Sequence, residues 1–186
     1  MFARSVFSEE HEVFRQSVRR FCETEIAPHH AEWEHNGAVS REVWLKAGEQ
    51  GLLCCSVPEE FGGPGGDFLM SAIVVEELSR IGATGPGFYL HSEIVAPYLV
   101  HYGTEDQQRE WLPKMVRGET IGAVAMSEPA AGSDLQGIKT TAIRDGDDLV
   151  INGSKVFITN GQLSDLVIVV AKTDPNAGTK GTSLVL

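Results

Sequence analysis

The sequence predicts an α+β protein: an all-α helical half over residues 1–119 and an antiparallel, barrel-like β half over residues 120–186. Three observations carry this. Apolar residues in the first half recur at helical spacing behind capping residues. After Glu119 the chain turns to short Val-, Ile- and Thr-rich runs, which favour a pleated, half-buried surface. Those runs are divided by Asp145-Gly146, Asn152-Gly153 and Asn160-Gly161, which is the rhythm of hairpins.

Taken in chain order, the first helix starts at Ser8, whose hydroxyl suits an N-cap, with Glu9 and Glu10 facing the positive end of the helix dipole. Phe14, Val18, Phe21, Cys22 and Ile26 line one face of it. Further helices are expected after Ser40, after Asp67 and after Pro86, and the "EEFGGPGGD" stretch between the second and third reads as a loop with fixed turns. Thr104 and Gln107 have capping-box spacing at the head of "TEDQQREWL". In the β half, alternation in "KVFITNG" predicts a strand with Phe157 and Thr159 on one face and Val156 and Ile158 on the other. The last residues, "GTSLVL", read as a strand without a closing turn, so the chain is expected to be part of something larger.

Composition removes several functions. A net charge of -11 argues against a nucleic-acid partner, because phosphate binding needs a basic face. No apolar run has the length of a membrane span and the N-terminus lacks a signal-peptide core, so a soluble, cytoplasmic protein is expected. Cys22, Cys54 and Cys55 have neither metal-ligand nor disulfide spacing and are expected to be core residues. Gly-rich stretches lack the spacing of a dinucleotide fingerprint or a Walker loop. His29 and His30 point in different directions on a helix and share no metal. His91, Ser92 and Glu93 are too close in sequence to form a relay.

"AMSEPAAGSD", Ala125 to Asp134, is denser in chemistry than a turn requires. Small residues at a sharp turn expose backbone N–H groups that, with the Ser133 hydroxyl, suit a pyrophosphate. Asp134 has the character of a turn-ordering residue. A hydroxyl at Ser127, and an aromatic and a hydroxyl at Phe157 and Thr159, suit a flavin ring and its edge. An ordinary exposed strand carrying a Phe is the other reading of those last two.

At these residues the chain resembles the acyl-CoA dehydrogenases. "AMSEPAAGSDLQGIKTTA" and "INGSKVFITNG" are similar to the family's two signature segments, and "VPEEFGGPGGD" and "YGTEDQQREWLPKMVRGE" extend the likeness over essentially the whole chain. "GPGFYLHSEIV" and "SDLQGIKT" most resemble the long-chain branch.

The resemblance implies a helical domain, a middle β domain and a C-terminal helical bundle that this chain does not contain. It implies FAD as cofactor, held by Met126, Ser127, Gly132, Ser133, Phe157 and Thr159. Substrate contacts are implied at Ser133, Tyr89 and His91, the last two on a Gly87–Val95 wall for the acyl tail. The implied reaction is α,β-dehydrogenation of an acyl-CoA thioester of medium to long chain. An electron-transfer flavoprotein is the implied acceptor and a homotetramer the implied assembly. The family's Glu base would lie beyond residue 186, so no catalytic residue is assigned, and Glu128 is read as structural. Two alternatives stay open: a non-catalytic half-subunit of a flavoprotein, and a related flavin oxidase or monooxygenase. Ala130 stands where the family commonly has Gly, which leaves the turn intact only if that position needs no positive φ.

Overall fold

The computed structural model describes residues 5–186, which divide into two compact units meeting at Ile121 and Gly122. The first is helical. Its α1, Glu9–Phe21, opens on a capping box in which the Ser8 side chain accepts from the His11 N–H while His11 reaches back to the Ser8 N–H. A π-helical turn, Cys22–Ile26, continues it. A short α2, His30–Asn36, not foreseen from the periodicity, follows Pro28. α3, Arg41–Glu49, starts at the Ser40 cap, and α4, Phe68–Arg80, at the Asp67 cap. The helix expected after Pro86 runs as one rod: α5, Phe88–Leu90, a π-helical turn His91–Val95, then α6, Ala96–Tyr102. The Thr104–Gln107 capping box opens α7, Glu105–Val116.

Helices α1 and α4 pack side by side and are locked by a buried carboxylate. Glu77 accepts from Arg15 and Arg19 of α1 and from Arg80 one turn along its own helix. The Arg19 hydrogen bonds, against the opposing effect of burial, hold its pKa at about 2, with Arg80 and Arg15 adding to the effect. Trp44, Phe21, Phe88, Ile26, Leu53 and Met115 fill the core of this unit.

The second unit holds a five-stranded sheet: β1, Gly122–Ala125; β2, Thr141–Asp145; β3, Asp148–Asn152; β4, Leu166–Lys172; and β5, Thr182–Val185. The expected antiparallel pairing holds for β2 with β3 and for β4 with β5. It fails for β1, which lies parallel to β4 with Gly122 opposite Leu166, and for the single β2–β4 register at Thr141 and Lys172. The sheet is therefore mixed. The crossover that a parallel pair requires is the segment from Met126 to Asp165, and that segment carries both signature stretches.

Only one of the three expected hairpin turns forms as such. Asp145 pairs with Asp148 across Gly146 and Asp147, with Gly146 at φ 63°. Asn152 ends β3, and Asn160 opens a helical turn in which its carbonyl accepts from Leu163 and Ser164. "KVFITNG" is not a strand. Phe157 and Asn160 both adopt positive φ, 57° and 64°, which breaks the pleat. The expected grouping into two faces survives all the same: Phe157 and Thr159 face solvent, and Val156 and Ile158 are half-buried.

Candidate functional site

The site is built from two loop segments without secondary structure of their own. β1 delivers the chain to Met126, which packs on a small core cluster of Ala131, Ile138 and Val170. Beyond Ser127 the chain closes a tight turn through Pro129 and Ala130, with Glu128 and Ala131 exchanging both backbone hydrogen bonds at 2.8 and 3.1 Å. Ala130 keeps a negative φ there, so the departure from Gly costs the turn nothing.

What the turn exposes is anion-competent. Gly132 and Ser133 lie at the surface, and among the described residues their N–H groups meet no protein acceptor. A Cβ built on Gly132 would meet nothing within 4 Å, so the space above it is open. Asp134 accepts from the Gln136 N–H at 3.1 Å and caps a short 3-10 turn, Leu135–Gly137, in the ordering role its position suggests.

The second segment is tied to the first by its backbone and by one lysine. The Val156 N–H donates to the Ser127 carbonyl at 3.0 Å. Lys155 Nζ donates at 2.9 Å to the Met126 carbonyl and at 2.9 Å to Glu128 Oε1. Asn160 Nδ2 donates to the Gly122 carbonyl at 3.2 Å. These anchors bring Met126 and Ser127 alongside the segment that begins at Lys155. Lys155 was missed in the sequence; a lone Lys in an apolar run, with a Glu beside Pro in the other segment, was the signal available.

Glu128 is the centre of this arrangement. It is buried, and its carboxylate accepts from the Lys139 N–H at 2.7 Å, the Thr140 N–H at 2.9 Å and Lys155. Burial alone would raise its pKa; the donors from Thr140, Lys155 and Lys139 outweigh burial and hold it at about 2. A carboxylate so occupied and so weakly basic is unsuited to proton abstraction near neutral pH, which supports the structural reading.

Phe157 presents its ring to solvent, 96% exposed, on a backbone at φ 57°. Positive φ is rare for a bulky residue and costs of order 1 kcal/mol or more, while an exposed ring returns no burial energy. Strain without burial marks a residue held for something other than the fold. Thr159 is exposed beside it and Ser127 is half-buried, so a bare aromatic face and two hydroxyls share this surface.

The two residues expected on the acyl wall fare differently. Tyr89 is half-exposed. His91 is fully buried in the core of the helical unit: it packs edge-on against Trp44, donates from Nε2 to the Met115 carbonyl at 3.1 Å, and lies 3.5 Å from Cys54 Sγ. Desolvation lowers its pKa to about 4 against a raising effect from Met115. The π-helical turn at residues 91–95 carries His91 inward together with Ser92, whose hydroxyl accepts from the N–H of Cys54, itself at φ 53°. A ring so enclosed has no surface to offer an acyl chain, and His91 is withdrawn as a substrate contact. Cys54 is likewise inert, since burial pushes its thiol pKa far up.

His30 Nε2 accepts from the Thr84 and Gly85 N–H groups and anchors that loop. All three cysteines are free and buried. Among the described residues no group of three potential ligands could hold a metal, and no helix is long and apolar enough to cross a membrane. A cavity of about 530 Å³ in the helical unit, lined by His11, Phe14, Cys55, Asp67 and Met70 among others, includes none of the expected site residues.

Comparison with known proteins follows the same division. Residues 8–119 match the family model for the acyl-CoA dehydrogenase N-terminal domain, and residues 123–186 that for the acyl-CoA dehydrogenase middle domain. The chain is 58% identical over 174 residues to the mitochondrial long-chain specific acyl-CoA dehydrogenase of Sus scrofa, covering 94% of this chain and 40% of the relative. An acyl-CoA dehydrogenase from Geobacillus kaustophilus superposes with a TM-score of 0.95 at 48% identity, covering 98% of this chain and 49% of the other. One from Bacillus anthracis, solved with FAD, gives 0.87 at 35% identity, covering 98% and 31%. The chain thus spans about 40% of the length of these long-chain specific relatives.

Proposed function

The chain belongs to the acyl-CoA dehydrogenase family, and on that premise we propose that it forms the flavin-holding part of an enzyme that dehydrogenates acyl-CoA thioesters to trans-2-enoyl-CoA. The observation that carries the reading is Phe157, a strained and bare aromatic ring beside the hydroxyls of Ser127 and Thr159. The residues present fit FAD. Phe157 would offer its ring to the flavin plane, Ser127 and Thr159 their hydroxyls to the flavin edge, and Ser133 with the Gly132 N–H their donors to the pyrophosphate. FAD, when bound, supplies the hydride acceptor. Lys155, Glu128 and Asn160 keep the two contacting segments in register, and Pro129 fixes the turn between the ring-edge and phosphate contacts.

Glu128, saturated with donors, is unsuited to act as the base, and the base is proposed, on the family likeness, to be a glutamate outside these 186 residues. A medium- to long-chain acyl group is the proposed substrate, on the 58% identity to a long-chain specific relative. Ser133 and Tyr89 are its proposed contacts on this chain. An electron-transfer flavoprotein as acceptor, a homotetrameric assembly and a division at residues 119 and 120 belong to the same reading. Free thiols are in keeping with a reducing compartment such as the cytoplasm.

The test is an anaerobic visible spectrum of the full-length protein, supplied with FAD, before and after palmitoyl-CoA. Bleaching of the oxidised flavin band is expected. Bound flavin that stays oxidised would limit the reading to a flavin-binding subunit, and absence of bound flavin would overturn it.

A further inference from the structure

We propose that Lys155, acting with Glu128, is a positioning pair that sets the affinity of the flavin site without touching the flavin; the inference rests on the flavin reading above. The segment bearing Phe157 and Thr159 is held by the half-burial of Val156 and Ile158 and by a set of polar tethers. It is not a strand, Phe157 makes no burial, and Thr159 is exposed. Polar tethers tie residues 155–160 to the first segment and its strand: Lys155 to Met126 and Glu128, the Val156 N–H to Ser127, and the Asn160 side chain to Gly122. Hydrophobic packing is non-directional and tolerates sliding, whereas hydrogen bonds fix an orientation. The orientation of the ring is therefore set by these bonds rather than by the partial burial of Val156 and Ile158.

Lys155 is the tether that reaches both sides of Ser127. Its ammonium bonds the carbonyl of the residue before Ser127 and the carboxylate of the residue after it. Its side chain is 11% exposed and that of Glu128 6%, so neither is placed to meet a ligand directly. Glu128 can serve only as a carboxylate. Oε2 accepts from Lys139, and Oε1 accepts from both Thr140 and Lys155. A glutamine would point its amide N–H at one of these donors whichever way it flipped. Lys155 in turn places a charge where Glu128 needs one, since a buried carboxylate without its cation is costly.

The experiment compares the full-length protein with Lys155→Met and Lys155→Arg, titrating FAD by flavin fluorescence and reading dissociation constant and stoichiometry separately. Lys155→Met is expected to raise Kd by roughly tenfold or more, at unchanged stoichiometry for the folded fraction, with Lys155→Arg restoring most of the affinity. A stoichiometry or melting temperature that falls while Kd stays constant means that the pair only stabilises the fold, and overturns the proposal. Should Lys155→Met fail to fold, Glu128→Asp keeps the charge and shortens its reach: a raised Kd supports positioning and an unchanged Kd refutes it. Wild-type protein that takes up no FAD overturns the flavin reading and this inference together. Wild-type uptake with unchanged variants overturns positioning alone.

Discussion

Among the described residues each unit buries one carboxylate and holds it near pKa 2, but the partners differ. Around Glu77 they are three guanidinium groups from two regular helices. Around Glu128 they are two backbone N–H groups and one ammonium, drawn from loops. Helices satisfy their own backbone, so a carboxylate between them meets side chains and serves as a lock. Loops leave backbone donors open, so a carboxylate among them replaces missing secondary structure and dictates conformation. The lock holds two helices together, and the hub holds the two loops of the proposed flavin site.

The largest expected effect is from Glu128→Ala. It strands two backbone donors and a buried ammonium, and should cost about 3–5 kcal/mol in chemical denaturation while also abolishing FAD retention. Near-wild-type stability would mean that the loops are held by something else. Glu77→Ala should cost less, about 2–3 kcal/mol, because Arg19 and Arg80 are half-exposed and can return to water. It should leave the FAD dissociation constant unchanged, and a shift would erase the contrast between lock and hub.

Acid should separate the units further. His91 has a folded pKa of about 4 against 6.5, so its neutral burial costs nothing above pH 6.5 and stability is lost as pH falls from there toward 4. Glu77 and Glu128 have folded values of about 2 against 4.5, so their contributions are present above 4.5 and are lost as pH falls toward 2. All three tryptophans, Trp33, Trp44 and Trp111, lie in the helical unit. Tryptophan fluorescence during denaturant titrations should therefore report weakening already between pH 6.5 and 4.5, and His91→Gln should flatten that range. An acid profile flat down to pH 4.5 in the wild type would remove the assignment.

The smallest change expected in the fold comes from Phe157→Gly. Relief of the positive φ should stabilise the chain or leave it within about 1 kcal/mol, while loss of the ring should weaken FAD by about 1–3 kcal/mol. Destabilisation beyond that would show that the ring packs after all.

The elements legible in the sequence share one property: their cause is local. Ser8, Ser40, Asp67 and Thr104 each cap the helix that follows them, because a cap is decided within four residues. Gly146 marks its hairpin for the same reason. Alternation even grouped Phe157 with Thr159 and Val156 with Ile158 as the structure does, although the strand supposed to cause it does not exist. Misreadings came where partners are distant. His91 has the polarity of a site residue, and only the packing of Trp44, Cys54 and Met115 around it makes it core.

The sequence by itself determined the helical caps, the change from helical to β character near residue 120, the family and the two segments proposed to form the flavin site. Only the tertiary structure decided that β1 runs parallel to β4, that His91 turns inward, and that Lys155 and Glu128 meet. The reason is sequence separation. Lys155 lies 27 residues from Glu128, beyond the reach of any local periodicity. The parallel pairing that folds the intervening chain back is set by burial over the whole sheet, which no short window of sequence contains.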